Sequence, residues 1–331
     1  MKDRYGRVID YLRVSVTDRC NFRCVYCMPP DGVPSVSHDD ILRYEELLRL
    51  IRIFAELGIK HIRLTGGEPT VRRGLVKLVR EIHDMPGIET ISMTTNGFLL
   101  PTLLDDLKDA GLSSVNISID TLKEERFDEI TRTQGNLPQV LDALRLAEEA
   151  GLNTKVNCVA MRGVNDDELA DIASLAKDRD IGVRFIEYMP IGKHDYEQAI
   201  YKDELLDMLR SSLGELTEDP SPRGNGPAVY YKPEGFQGSV GVISAMSHAF
   251  CDTCNRVRMT PEGFLKLCLQ YDVGVNLRSP VRQDLSDDQI KLISAFIRSQ
   301  SESIFVRDYL YIKHGLLKYG TVRKAAQLLG L

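Results

Sequence analysis

Residues 11–27, with the sequence YLRVSVTDRCNFRCVYC, decide the fold class, because a short segment rich in Val runs directly into a loop with three cysteines. Five more short segments rich in Val and Ile follow, each succeeded by an amphipathic stretch with apolar residues three and four positions apart. The predicted strands are residues 11–16, 60–64, 90–94, 114–119, 153–161 and 183–189. This alternation predicts parallel βα units. Six units are too few for an eight-fold barrel, so we predict an α/β fold, either an incomplete (β/α)6 TIM-like barrel or a doubly wound sheet.

Composition and charge are those of an ordinary globular protein. The 331 residues are 43% hydrophobic and 27% charged, with a net charge of −6 from 42 basic and 48 acidic residues. No apolar run is long enough for a membrane span, and the first residues lack the apolar core of a secretory signal. We therefore expect no membrane partner and a cytoplasmic location. The net negative charge argues against a protein that coats nucleic acid, but it leaves room for a local basic pocket.

The pattern changes between residues 214 and 240, where strand–helix alternation stops. The residues that interrupt it are Pro220, Pro222, Gly224, Gly226 and Pro227. Such a cluster is typical of a linker or an irregular loop. We therefore predict a barrel domain over residues 1–220 and a C-terminal region over residues 221–331.

Six of the seven cysteines fall into two sets of three. Cys20, Cys24 and Cys27 have the spacing C-x3-C-x2-C. Three thiolates on one loop can hold three irons of a [4Fe–4S] cube and leave the fourth iron open to another ligand. The alternatives are a zinc loop that borrows a ligand from elsewhere, or three unrelated cysteines.

The second set, Cys251, Cys254 and Cys268, has the spacing C-x2-C-x13-C. It again leaves one iron without a protein ligand, and a substrate could occupy that position. The alternative is a zinc knuckle with a fourth ligand such as His248. The remaining cysteine, Cys158, lies in the middle of a predicted strand, so we expect a buried, inert thiol.

The first cysteine loop resembles that of the radical S-adenosylmethionine (SAM) enzymes, whose defining motif is C-x3-C-x-aromatic-C. A second motif of that superfamily, GGEP, follows the second predicted strand at residues 66–69. The resemblance implies that SAM chelates the open iron and is cleaved to a 5′-deoxyadenosyl radical. The SAM contacts that it implies are Tyr26, against the adenine, with Gly66, Gly67, Glu68, Thr94, Ser118 and Met189.

With both cysteine sets, the sequence is similar to the GTP 3′,8-cyclase family, molybdenum cofactor biosynthesis protein A. The stretches that carry the resemblance are YLRVSVTDRCNFRC from residue 11, IRLTGGEP from residue 62, RFIE from residue 184 and FCDTCNRVR from residue 250. The resemblance implies a lyase with two [4Fe–4S] clusters, the second one in a C-terminal extension of the barrel and bound to the purine. The radical would remove the hydrogen from C3′ of GTP, and C3′ would then attack C8 of the guanine.

The resemblance also implies partners. They are GTP, SAM, an electron donor such as flavodoxin or ferredoxin, and the cyclic pyranopterin monophosphate synthase that takes the product towards the molybdenum cofactor. The sequence leaves open whether the chain forms a homodimer.

Basic residues on separate strands predict an anion site, although no Walker-type phosphate loop is present. They are Arg13, Arg63, Lys155, Arg184, Arg256 and Arg258. A charge in an apolar strand is costly to bury unless something pairs with it. Pointed into one cavity, the six would hold a triphosphate, and the family resemblance implies that role. The alternative is that each pairs with a carboxylate such as Glu187 or Asp120.

The resemblance fades from about residue 286. The family ends in a Gly-Gly tail that reaches into the active site, whereas this chain ends in QLLGL, which leaves the closure of the pocket and the substrate open. Residues 321–330 resemble the first helix and turn of a helix-turn-helix, and an amphipathic helix packed on the barrel is the other interpretation. The functional alternatives are a radical SAM paralogue acting on another nucleotide or a peptide, and a metal-cluster sensor with a DNA-binding tail.

Overall fold

A single open sheet of twelve strands runs through the residues that this computed structural model describes. Those residues are 3, 6–33, 36–189, 198–221, 224–248, 250–269 and 274–299. The strands are β1 (Tyr11–Ser15), β2 (His61–Thr65), β3 (Thr90–Thr95), β4 (Ser114–Ser118), β5 (Asn153–Ala160), β6 (Gly182–Glu187), β7 (Leu216–Asp219), β8 (Val229–Pro233), β9 (Ser239–Ile243), β10 (Arg256–Met259), β11 (Phe264–Lys266) and β12 (Gly274–Asn276). Their order in the sheet is β12-β11-β10-β1-β2-β3-β4-β5-β6-β9-β8-β7.

Helices connect the central strands and cover one face of the sheet. Those in the described ranges are α1 (Tyr44–Glu56), α2 (Leu75–His83), α3 (Leu104–Asp109), α4 (Glu124–Thr131), α5 (Leu137–Glu149), α6 (Leu169–Ser174), α7 (Lys202–Leu213), α8 (Arg278–Arg282) and α9 (Asp287–Ser299). In α1, Leu50, Ile51 and Phe54 are fully buried, which is the three-to-four spacing of one apolar helix face. None of the helices in these ranges is long and apolar enough to cross a membrane.

The central strands carry apolar residues on one face and polar residues on the other. Side chains alternate in direction along a strand. In β1, Leu12 and Val14 are therefore buried in the core under the helices, while Arg13 points to the opposite face. β2 repeats this arrangement around Arg63. The strand sequences thus build a polar interior on the side of the sheet away from the helices.

The C-terminal part of the chain completes both edges of this sheet. β9 pairs parallel with β6 and is followed outward by the antiparallel strands β8 and β7. β10 pairs parallel with β1 and is followed by β11 and β12. The division of the chain at residue 220 remains a prediction, but strands from beyond that residue belong to the same sheet as β1–β6.

The predicted incomplete barrel is confirmed, and all six predicted strands lie within two residues of their expected ends. The largest difference is at β6, which ends at Glu187 because pairing with β5 stops there, so Met189 lies in the following loop. The predictions for residues 301–331, including the helix-turn-helix resemblance, fall outside the described residues.

Candidate active site

The first cysteine loop leaves the carboxyl end of β1 and is held by the end of α4. The backbone N–H groups of Arg23 and Val25 donate to the carbonyls of Thr131 and Ile130, each at 2.9 Å. Arg132 follows α4 with a left-handed φ of 53° and donates from Nη1 to the carbonyls of Arg23 at 3.0 Å and Met28 at 2.9 Å. Contacts to the protein on both sides of the third cysteine therefore fix the path of this loop.

The three thiols of this loop are free and interact electrostatically with one another. Cys20 and Cys24 are partly buried, and Cys27 is exposed. Burial raises the pKa of the Cys24 thiol, and the Asp120 carboxylate and the neighbouring thiols add to that rise. Across the described residues, no three His, Cys, Asp or Glu side chains meet closely enough to share one metal ion. Three separate thiols on one loop fit a cluster, in which each cysteine binds a different iron.

The Gly66-Gly67 pair brings the end of β2 against the cysteine loop. The backbone N–H of Gly67 donates to the Thr17 carbonyl at 2.8 Å, and that of Glu68 donates to the Arg19 carbonyl at 2.8 Å. A Cβ on Gly66 would lie 2.4 Å from the Thr17 carbonyl oxygen, and one on Gly67 would lie 2.2 Å from that of Arg19. Only glycine permits this close backbone approach.

The Glu68 carboxylate joins the ends of two neighbouring strands. It is 1% exposed and accepts from the Thr70 hydroxyl at 2.6 Å, the Thr95 hydroxyl at 2.7 Å and the Asn96 backbone N–H at 2.7 Å. Burial raises the pKa of Glu68, and these hydrogen bonds oppose the rise. The Asn96 amide in turn donates to Asn21 in the cysteine loop at 2.9 Å. Glu68 thereby orients Asn96, which the sequence did not single out by itself.

A small cleft opens beside the cysteine loop. Its lining residues are Phe22, Cys24, Tyr26, Asn96, Ser118, Asp120, Thr121, Phe127, Ile130 and Thr131. It brings together two of the predicted SAM contacts, Tyr26 and Ser118, with one predicted cluster ligand. Thr94 lies apart from this lining and accepts from Arg63 Nη1 at 3.2 Å. Met189 is half-buried in the loop after β6.

Asp120 is the buried acid of this cleft. Its carboxylate accepts from the Tyr26 hydroxyl and from the Val159 backbone N–H, both at 2.8 Å. Burial raises its pKa to about 6, and the two hydrogen bonds limit the rise. Asp120 thus ties the aromatic residue of the cysteine motif to the ends of β4 and β5.

Three of the predicted anion-binding arginines form one row across the sheet. Arg258, Arg13 and Arg63 are register neighbours on β10, β1 and β2. Burial, followed by the charges of Arg258 and Arg63, lowers the pKa of Arg13 to about 9. Arg63 donates to the Tyr11 hydroxyl at 2.5 Å. The row therefore concentrates positive charge in the polar interior.

The other three cations reach the same interior and bond to neutral groups. Lys155 donates to Asn153 at 2.5 Å, Arg184 to the Asn157 amide oxygen at 2.6 Å, and Arg256 to the Asn225 carbonyl at 2.7 Å. Within the described residues, the buried Nε atoms of Arg184 and Arg258 have no hydrogen-bond partner.

The carboxylates considered as partners for these cations are engaged elsewhere. Glu187 accepts from the backbone N–H groups of Lys202 at 2.9 Å, Met246 at 2.8 Å and Ser247 at 3.0 Å. Asp120 bonds to Tyr26, as described above. In the part of the chain that the structure describes, none of the five arginines forms an ion pair with a carboxylate.

The second cysteine set lies at the opposite end of the parallel strands from the first. Cys254 precedes β10, which runs parallel to β1, whereas Cys20 follows β1. The antiparallel strand β11 returns the chain to this end at Cys268, and the thiols of Cys251, Cys254 and Cys268 interact electrostatically. Three free thiols again fit a cluster. The arginine row lies between the two ends.

Two other sequence predictions concern single residues near the cysteine sets. Cys158 is completely buried, as expected, with its thiol 3.9 Å from the Asp120 carbonyl. His248, the alternative zinc ligand, has its Nδ1 3.0 Å from the Ser247 hydroxyl.

Comparison with known proteins gives matches over both parts of the chain. Residues 14–176 match the Radical SAM superfamily, and residues 181–304 match Molybdenum Cofactor Synthesis C. The GTP 3′,8-cyclase of Clostridium perfringens (strain 13 / Type A) is 46% identical over 293 residues, covering 88% of this chain and 90% of that protein. The GTP 3′,8-cyclase of Petrotoga mobilis is 47% identical over 304 residues, covering 91% of each.

Among solved structures, Streptococcus suis SuiB bound to S-adenosylmethionine is similar in fold. It superposes with a TM-score of 0.62 at 13% identity, covering 88% of this chain and 68% of SuiB. At that identity the similarity concerns the fold alone.

Proposed function

The chain belongs to the GTP 3′,8-cyclase family of radical SAM enzymes, and from this premise we propose which of its residues carry the reaction. It is a lyase of molybdenum cofactor biosynthesis that cyclises GTP and uses SAM and two [4Fe–4S] clusters. The observation that carries the site assignment is the row Arg258–Arg13–Arg63, which is half-buried between two thiol sets. A triphosphate supplies the negative charge that this row lacks in the described structure.

The two thiol sets are the cluster ligands in this proposal. Cys20, Cys24 and Cys27 hold the first cluster, and Cys251, Cys254 and Cys268 hold the second. When bound, these groups supply a 5′-deoxyadenosyl radical at the carboxyl ends of the strands and an open iron for the purine at the amino ends. The protein's part is to keep both loops in place, through Arg132 at the first and Arg7 at the second, whose Nη1 donates to the Cys251 carbonyl at 2.6 Å.

The SAM contacts lie at the carboxyl ends of β1–β4 and β6 in this assignment. Tyr26 and Ser118 line the cleft beside Cys24 and receive the adenosine. Gly66 and Gly67 offer backbone groups next to the cysteine loop, and Glu68 acts by orienting Asn96. The remaining proposed contacts are Thr94 and Met189.

GTP occupies the polar interior between the clusters in this proposal. Its phosphates and ribose meet Arg13, Arg63, Lys155, Arg184, Arg256 and Arg258. Because the arginines bond to neutral groups or to nothing in the described ranges, they are free to make charge-assisted hydrogen bonds with phosphate oxygens. Bound phosphate also removes the repulsion within the row, so ligand binding and protein stability rise together.

We extend the proposal to the electron donor of the enzyme, the enzyme that uses its product and its location in the cell. A flavodoxin or ferredoxin would reduce the first cluster, and cyclic pyranopterin monophosphate synthase would consume the product. We place the enzyme in the cytoplasm and do not assign it as a monomer or a homodimer.

The test is an anaerobic incubation of reconstituted protein with SAM, a reductant and GTP, read by mass spectrometry. The expected products are 5′-deoxyadenosine and a cyclised nucleotide with the mass of GTP. Deoxyadenosine without cyclised nucleotide would contradict the substrate and point to another nucleotide or a peptide. Absence of deoxyadenosine would contradict the radical chemistry of this chain.

A further inference from the structure

The 224–227 loop, which its proline and glycine content assigns to a linker, lies against three of the six cations. Asn225 accepts a hydrogen bond from Arg256, and Gly224 and Gly226 lie beside Lys155 and Arg184. We propose that this loop is a wall of the nucleotide site, which positions these three cations and keeps side chains out of the space for the phosphates. The proposal rests on the proposed function, because it takes GTP as the ligand.

The first contact orients Arg256. Its Nη2 donates to the backbone carbonyl of Asn225 at 2.7 Å. Its guanidinium also lies 5.8 Å from the centre of the Tyr11 ring and 6.0 Å from that of Phe250. An arginine held between two rings and a carbonyl loses little conformational entropy when it binds an anion. The loop therefore prepares Arg256 for a phosphate.

The second contact concerns the two glycines. A Cβ on Gly226 would lie 3.6 Å from Arg184 Nη1, and a Cβ on Gly224 would lie 3.6 Å from Lys155 Nζ. Gly224 also has a φ of +105°, which other residues rarely adopt. Larger side chains at either position would project onto the cations, where an anion has to approach.

The third contact is with Tyr230 on β8, which β9 separates from Arg184 on β6. Tyr230 interacts electrostatically with Arg184, and both lie against Gly241 on β9. A Cβ on Gly241 would lie 2.8 Å from the Tyr230 ring and 3.0 Å from Arg184 Cγ. The loop and Tyr230 thus hold Arg184 from two sides. Neither feature belongs to the cysteine or GGEP motifs.

The experiment compares Gly226→Asp with Gly226→Asn in the anaerobically reconstituted enzyme. Gly226 does not have a left-handed φ, so both side chains fit the backbone. Aspartate places a carboxylate on Arg184 that competes with phosphate, whereas asparagine has the same shape without the charge. We expect Gly226→Asn to raise the Kd for GTP about threefold to tenfold, because its side chain enters the phosphate space, and Gly226→Asp to raise it about 100-fold, because it adds a competing carboxylate, with the Kd for SAM unchanged in both.

Two further variants keep the test decisive. Ser221→Asp adds the same charge at an exposed position outside the loop, and we expect less than a twofold change in the Kd for GTP. Tyr230→Phe removes the hydroxyl that interacts electrostatically with Arg184, and we expect a higher KM for GTP with an unchanged kcat. Equal losses for Gly226→Asp and Gly226→Asn, or unchanged GTP affinity in both Gly226→Asp and Tyr230→Phe, would overturn the proposal. A wild-type enzyme that binds no GTP would overturn the proposed function as well.

Discussion

Arg13 on β1 and Arg258 on β10 are register partners on adjacent parallel strands, and their charges repel each other inside the sheet. Neighbouring strands are about 4.8 Å apart, and Arg63 is the partner of Arg13 on its other side. In the described residues, no carboxylate is paired with any of the three. Such a row costs stability until an anion binds to it. In the proposed function, the phosphate site is therefore maintained at the expense of the stability of the substrate-free fold.

Replacing Arg13 with Gln should stabilise the substrate-free protein and weaken GTP binding. The folded pKa of about 9 lies below the ordinary value of 12.5, so the charged form of Arg13 is disfavoured in the folded state. That cost is fully present below about pH 9 and fades as the pH rises towards 12.5. We expect thermal unfolding at neutral pH to shift upward by about 2 °C and the Kd for GTP to rise more than about tenfold. Arg80→Gln, on the exposed face of α2, is the control for loss of one charge. A less stable Arg13→Gln protein with normal GTP affinity would refute this prediction.

Asp120 should position Tyr26 for SAM. Asp120→Ala removes the acceptor of the Tyr26 hydroxyl and leaves a buried donor without a partner, so we expect about a tenfold higher Kd for SAM. Asp120→Asn retains an acceptor and should lose less affinity. If loss of the Tyr26–Asp120 hydrogen bond causes the weaker binding, the double variant Tyr26→Phe/Asp120→Ala will bind SAM no more weakly than the single variant with the lower SAM affinity. Fully additive losses would show that the two residues act separately.

Glu46 should join α1 to α8 in a pH-dependent manner. Burial alone would raise its pKa, but hydrogen bonds from Arg282 and from the Arg43 backbone lower it to about 2. Because the folded pKa is below the ordinary value of 4.5, the stabilisation is present above about pH 4.5 and is lost as the pH falls towards 2. We expect Glu46→Gln to lower the free energy of unfolding by about 1–3 kcal/mol at neutral pH, with a smaller difference in acid. The measurement is denaturant unfolding across this pH range, with the exposed Glu129→Gln as control. A difference from wild type that stays constant with pH would contradict the assignment.

Cysteine substitutions in the two thiol sets should have different effects on SAM cleavage and on cyclisation. Cys24→Ala should remove about four irons and abolish SAM cleavage, whereas Cys254→Ala should remove about four irons and spare part of the SAM cleavage while abolishing cyclisation. Iron analysis and quantification of deoxyadenosine and cyclised GTP distinguish these outcomes. Cys158→Ala, at the buried cysteine outside both sets, should keep its iron content and both activities. Normal cyclisation by Cys254→Ala would remove the second set from the reaction.

The central strands could be predicted from the sequence because their pattern is local. Each has Val or Ile within five to eight residues, and the pairing of each with its neighbour follows from the βα order. The edges of the sheet could not be predicted in this way. Tyr11 pairs with Arg256, and no local pattern reveals a partner at that distance along the chain. The predicted C-terminal region over residues 221–331 was inferred from the change in composition near Pro220, and composition does not report on long-range pairing.

The same distinction applies to the site. Cysteine spacing and the GGEP motif are local signals, and they indicated the two sets and the turn at Gly66. The hydrogen bond between Tyr26 and Asp120 joins residues 94 positions apart and is visible only in the fold. Glu68 is a predicted SAM contact, and that role stays a prediction; the sequence did not reveal that its carboxylate bonds to protein donors, because folding buries it between two strand ends. The contact of the 224–227 loop with Arg184 and Arg256 was hidden for the same reason.

The most direct test of the account follows the hydrogen atom at C3′ of the substrate. GTP labelled with deuterium at C3′ is incubated anaerobically with the reconstituted enzyme, SAM and a reductant, and both products are analysed by mass spectrometry. The account predicts one deuterium in 5′-deoxyadenosine and none at C3′ of the cyclised nucleotide. Unlabelled deoxyadenosine formed together with intact, fully labelled GTP would show that the radical acts elsewhere and would contradict the assignment of this chain's cation row to GTP.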